Sequence, residues 1–143
     1  MLRGVEAIPS LTCVQLAEMI DDGSSEFVVI DVRDEDYKGG HVIGAINAPS
    51  EELEDDDVLE ELIEKVCSGG TCTKVVFHCM KSQERGPTCA RRFANRLAIY
   101  YDDEDTDRTL PTVYFLEGGF EAFAAAYKQD ATLCEDMDMK MWG

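Results

Sequence analysis

The chain has 143 residues, 45% of them apolar and 30% charged, a balance that suits one globular domain with one core over residues 1–143. Its formal net charge of −17 argues against nucleic acid and anionic membrane surfaces as partners, since both call for a cationic face. No apolar run approaches the ~18 residues of a membrane span, and the opening Met1–Pro9 lacks the apolar stretch of a signal peptide, so the expected location is cytoplasm or nucleus.

Along the chain, Leu11, Val14, Leu16, Ala17 and Ile20 share one face of a helix expected over 11–20, with Thr12 and Gln15 spaced for a capping box. Phe27-Val28-Val29-Ile30, ending at Asp31, is a continuous apolar run of the kind a buried parallel strand carries. Residues 32–49 read as loop, with a brief strand at 45–47. Ser50 is placed to cap a helix reaching about Val66, whose Leu53, Leu59, Leu62, Ile63 and Val66 share a face. Its acids, Glu51, Glu52, Glu54, Asp55, Asp56 and Asp57, crowd the first turns, where the helix dipole favours negative charge. Lys74–His78 reads as a second buried strand. Pro87 suits the first turn of a helix running to about Tyr100, with Ala90, Phe93, Ala94 and Leu97 inward. The acidic run 102–107 reads as an exposed loop, 112–116 as a third strand and 120–127 as a short last helix. Strands alternating with helices imply an α/β domain with a mainly parallel sheet flanked by helices. Ligands of such sheets bind beyond the carboxyl ends of the strands.

The segment His78-Cys79-Met80-Lys81-Ser82-Gln83-Glu84-Arg85 falls at such a place, between a strand and a helix start. Backbone N–H groups of a short loop before a helix can converge on an anion, and the helix N-terminus adds partial positive charge. Arg85 offers a planar fork for two oxygens of a tetrahedral oxyanion. The same field favours the thiolate of Cys79, whereas a free thiol of pKa about 8.5 is only ~3% ionised at pH 7. Nucleophile and oxyanion site are thus one device. Five of the thirteen cations, Lys81, Arg85, Arg91, Arg92 and Arg96, fall within 81–96, which suggests a local anion site. Glu84 is either a general acid towards a leaving oxygen or an exposed carboxylate.

This strand–loop–helix, continuing into Gly86-Pro87, resembles the active loop of the M-phase-inducer dual-specificity phosphatases. It also resembles that of the related eukaryotic arsenate reductases, both of the rhodanese superfamily. Asp31-Val32-Arg33-Asp34 with Gly39–Asn47 is similar to a second block of that superfamily, and Leu116–Phe120 to a third. The resemblance implies a three-layer rhodanese-like fold, Cys79 as nucleophile and Arg85 as oxyanion ligand; with the loop amides, the oxyanion site is expected to comprise Met80, Lys81, Ser82, Gln83, Glu84 and Arg85. Rhodanese sulfurtransferases usually have one residue fewer in the loop, so its length here resembles the phosphatase and arsenate-reductase branch. The implied activity is phosphate-ester hydrolysis on a phosphorylated substrate, arsenate reduction on a small oxyanion, or both. Reduction would use glutathione or another thiol as co-substrate, with no bound cofactor. The alternative is thiosulfate sulfurtransfer through a Cys79 persulfide.

His78 and Asp31 are expected to support the loop, Asp31 with Arg33 as an ion pair, and His41 to fix the same segment. Cys89 is either a resolving thiol for an oxidised Cys79 or a small core residue. The six cysteines are expected as free thiols. Cys67 and Cys72 lack two convincing further zinc ligands, and the tail holds only Cys134, so no metal is expected.

Overall fold

The computed structural model describes residues 8–23, 26–34, 39–81, 84–101 and 110–142. In chain order the elements are β1 (Ser10–Leu11), α1 (Cys13–Asp21), β2 (Phe27–Asp31), β3 (His41–Val42), β4 (Ile46–Asn47), α2 (Asp56–Cys67), β5 (Lys74–His78), α3 (Arg85–Tyr100), β6 (Thr112–Leu116), α4 (Gly119–Tyr127), β7 (Cys134–Glu135) and α5 (Met139–Trp142). The two apolar runs β2 and β5 pair in parallel from Phe27↔Lys74 to Asp31↔His78, and β6 pairs in parallel on the other side of β5. β1 and β4 complete a five-stranded parallel sheet in the order β1-β6-β5-β2-β4.

Alternation along the strands divides the core. Ile30, Val75, Phe77 and Val113 face one side, where Leu59, Leu62 and Ile63 of α2 and Ala90, Phe93 and Leu97 of α3 cover them. Val29, Val76 and Leu116 face the other, under Leu16 and Ala17 of α1 and Phe120, Phe123 and Ala124 of α4. The expected three-layer, mainly parallel α/β architecture is therefore what forms. Among the described residues no helix is long and apolar enough to cross a membrane.

Several local expectations shift, each for a physical reason. Thr12 and Gln15 do form the capping box, at 3.1 and 2.9 Å. The cap holds Thr12 extended, so Leu11 belongs to β1, against Leu116, and the helix starts at Cys13. Ser50 caps no helix, because its hydroxyl bonds the Asp34 carboxylate at 2.9 Å. A 3-10 turn at Glu52–Glu54 follows, and Asp55 caps α2 by accepting the Asp57 N–H at 2.8 Å. Only Asp56 and Asp57 lie in the first turn of α2. The antiparallel pair β3–β7 was not predicted, since two-residue strands carry no periodicity. The acidic run 102–107 lies outside the described residues.

Phe93 and Phe77 join α3 to the sheet with ring centroids 5.1 Å apart, both fully buried. Phe93→Ala is expected to cost about 3–5 kcal/mol, the range for a buried aromatic truncated to a cavity. Urea denaturation measures it, and a loss below about 1 kcal/mol would contradict a core built on this contact.

Candidate active site

β5 runs through the middle of the sheet, and the chain leaves it at Cys79 on the carboxyl side. Cys79 is buried. The amide of Gly86, in the first turn of α3, donates to Cys79 Sγ at 3.2 Å. That amide is one of the N-terminal donors with no partner inside the helix, so the sulfur caps the positive end of α3.

The opening of α4 fixes the other side of the loop. Phe120 N–H donates to Cys79 O at 2.9 Å and Glu121 N–H to Met80 O at 2.8 Å. Across a trans peptide the N–H lies opposite the C=O. Turning both carbonyls to α4 therefore points the Met80 and Lys81 N–H groups away from it. The approach is close enough to demand glycine: Gly119 sits at φ +61, and a Cβ there would lie 2.4 Å from Met80 O and 2.7 Å from Cys79 O.

Beneath the loop lies a buried polar cluster. The Arg33 guanidinium grips Asp31 through Nε (3.0 and 3.1 Å) and Nη2 (2.7 Å), with both side chains fully buried. Arg33 Nη2 also donates to Gly40 O at 2.8 Å, and the guanidinium carbon stands 4.5 Å from the centroid of the Phe120 ring. His78, opposite Asp31 in the sheet, stacks on the same ring with centroids 6.1 Å apart. Its Nδ1 lies 3.0 Å from Cys79 O. A carbonyl only accepts, which assigns the ring proton to Nδ1. His78 Nε2 is buried without a hydrogen bond, 3.7 Å from Asp31 Oδ2. Burial pushes the His78 pKa down, against an opposing pull from Asp31.

Arg85 opens α3, and its Nη1 lies 3.3 Å from Asp34 Oδ2. A cleft of about 220 Å³ beside it is lined by Ser50, Glu54, Glu84, Thr88, Cys89 and Arg92. Glu84 is exposed at the rim and caps nothing with its side chain. Lys81 is exposed and 4.0 Å from Glu121. Ser82 and Gln83 lie outside the described residues.

The model of the rhodanese-like domain matches residues 12–126. The chain belongs to this family. It is 39% identical over 101 residues to the dual specificity phosphatase Cdc25 of Arabidopsis thaliana, covering 70% of this chain and 63% of that one. With a CDC25-like phosphatase of Saccharomyces cerevisiae it shares 34% over 121 residues, covering 81% and 78%. It spans 18% of the length of human M-phase inducer phosphatase 1, at 39% identity over 99 residues. Among solved structures, a yeast protein tyrosine phosphatase of the Rhodanese family superposes with TM-score 0.82 at 25% identity, covering 98% of this chain and all of that one. The As-Sb reductase of Leishmania major does so with TM-score 0.73 at 30% identity, covering 87% and 81%.

Within this rhodanese-like domain the cationic run 81–96 does not act as one patch. Arg92 Nη2 donates to Leu53 O at 2.9 Å, and Arg96 Nε to Glu60 at 2.8 Å. Spacings of seven and four keep them on the same face of α3 as Arg85, but two and three turns further from the loop, where they tie α3 to α2 and its preceding turn. His41 Nε2 meets Glu135 of β7 at 3.0 Å, and the same Glu135 oxygen accepts the Gly44 N–H at 2.9 Å, so His41 ties the loop after β2 to the C-terminal segment, while Arg33 holds Gly40. All six cysteines are free thiols. Burial pushes the Cys89 thiol up to about 11, in keeping with its place in the core between α3 and the sheet. Among the described residues no cluster of three His, Cys, Asp or Glu could hold a metal ion.

Sequence reasoning did not single out Asp34, Gly119 or Phe120 as parts of the site. The Gly-Gly-Phe after a strand was visible, but its reach to Cys79 is a tertiary contact. Gly119→Ala is expected to lower turnover sharply while the domain stays folded, because a methyl group would push against Cys79 O and Met80 O. Steady-state rates beside circular dichroism check this, and unchanged turnover would contradict it.

Proposed function

We propose that the domain is a thiolate-dependent phosphatase, with Cys79 as nucleophile, Arg85 as oxyanion ligand, and the backbone amides of Met80 and Lys81 in the cradle. The observation that carries the reading is the Cys79 sulfur on the N-terminus of α3, with Arg85 in the same first turn. The outward-turned carbonyls of Cys79 and Met80 support it, since they leave the following amides for an anion. The reacting thiolate attacks phosphorus. The phosphorus–oxygen bond to the leaving group breaks, its electron pair stays on that oxygen, and Glu84 at the cleft rim supplies the proton. Water then releases phosphate from the phosphocysteine. Asp31 and His78 act from beneath, by holding the loop.

A second activity, arsenate reduction, is favoured by the 30% identity to the As-Sb reductase. There Cys79 displaces water from arsenate, and a second thiol such as glutathione attacks the Cys79 sulfur. Arsenite leaves with the electron pair, and two thiols become one disulfide. The cradle suits both anions, because both are tetrahedral. Sulfurtransfer ranks below these, since the loop is longer than a persulfide needs.

Parallel assays with an aryl phosphate, with arsenate with and without glutathione, and with thiosulfate plus cyanide test the reading. Phosphate release is expected, with arsenite formed only when thiol is added. Cys79→Ser should abolish both activities, and Arg85→Lys should be severe because a point charge lacks the bidentate fork. Glu84→Gln should slow aryl phosphate hydrolysis by roughly 10²-fold or more if it is the acid. Efficient thiocyanate formation with neither other activity would reverse the ranking.

A further inference from the structure

The segment after β2 contributes a residue that the chemistry above does not use. Asp34 is half-buried and contacts two residues that line the cleft, Ser50 and Arg85. Its Oδ2 accepts the Ser50 hydroxyl at 2.9 Å and faces Arg85 Nη1 at 3.3 Å. Its Oδ1 accepts the Glu51 N–H at 3.4 Å. Both braces come from the turn after β4, whose place is fixed by Ser50 N–H on Val32 O at 3.0 Å and by Asn47 Nδ2 on Asp31 O and Arg33 O, each at 3.0 Å. The carboxylate is thus tied to the same β2 end that carries Asp31 and Arg33. Each of these three contacts is a donor, and Asp34 accepts from it.

We propose that Asp34 is the positioning residue for Arg85: it sets the direction of the guanidinium before the oxyanion arrives. The inference rests on the oxyanion reading of the loop. An arginine side chain has many rotamers to lose when it clamps an anion, and its advantage over lysine is a fork of fixed geometry. A fork clamps well only when its plane is already aimed. The pair Asp34–Arg85 aims it from one end, and the Ser50 and Glu51 donors keep Asp34 from following the arginine. The carboxylate also places negative charge near a dianion. Alignment outweighs that repulsion, because a braced acceptor keeps its partner in place while the anion binds. Removing Asp34 therefore weakens anion binding and slows turnover together.

The test is a double-mutant cycle on the full chain, with tungstate as the probe anion and titration calorimetry as the readout. In the Cys79→Ser protein, adding Asp34→Asn is expected to raise the tungstate Kd about tenfold or more, the scale of one charge-assisted hydrogen bond. In the Cys79→Ser protein that also carries Arg85→Lys, the same change should have little effect. In the active enzyme, Asp34→Asn should lower kcat and raise KM for an aryl phosphate. Asp34→Glu should recover part of each, and thermal denaturation should show the fold intact. An unchanged or tighter Kd in Asp34→Asn overturns the proposal, as does an equal loss with and without Arg85→Lys, which marks a general structural role. If Cys79→Ser alone binds no tungstate, the oxyanion reading itself fails and this inference falls with it.

Discussion

Two backbone hydrogen bonds, from the first amides of α4 to the carbonyls of Cys79 and Met80, fix the start of the loop that follows β5, and the rest of the candidate site is built around it. Without them the chain leaving β5 would be free to turn its carbonyls inward, and an anion would meet oxygen in place of N–H. The contact requires a residue without Cβ at 119. It also requires the Phe120 ring to be held, and that ring lies between the Arg33 guanidinium, His78 and Phe123. The buried Asp31–Arg33 pair is thus part of the loop's foundation. Isolated in a core it would be costly, but here its bonds are satisfied and it joins β2, Gly40 and α4 at one point.

The distribution of charge follows the same geometry. In a chain of net charge −17, oppositely charged neighbours for arginine are plentiful. Arg92 and Arg96 take theirs from α2 and the turn before it, and hold two elements together. Arg85 occupies the first turn of α3, where the same helix also receives the Cys79 sulfur. One helix therefore joins its neighbour α2 along its length and holds the Cys79 sulfur at its end. The carboxyl-end location of the site needs no separate explanation: β2, β5 and β6 run parallel, so Asp31, Cys79 and Gly119 emerge on one edge.

The central strands were legible because β2, β5 and β6 are fully apolar runs with sharp polar ends, and their register follows from burial on two faces. The capping box at Thr12 was legible for a similar reason, since both partners are local. Ser50 misled because a serine before an amphipathic run has the right residue type for a cap, while its actual acceptor, Asp34, comes from another loop. The strands β1, β3 and β7 are two residues long and exist only through their partners. In the site, Cys79 and Arg85 could be read from spacing. Gly119, Phe120 and Asp34 could not be assigned to it, because what they touch is fixed by tertiary packing.

The claim that organises this account is that Cys79 forms a covalent bond to the oxyanion it receives in the loop. Acid-quenched turnover of an aryl phosphate, followed by intact-mass and fragment analysis, tests it directly. The account predicts a single phosphoryl adduct on Cys79 that accumulates when release is slowed and is absent from Cys79→Ser. Continued turnover with no adduct on Cys79, or an adduct on another residue, would contradict it.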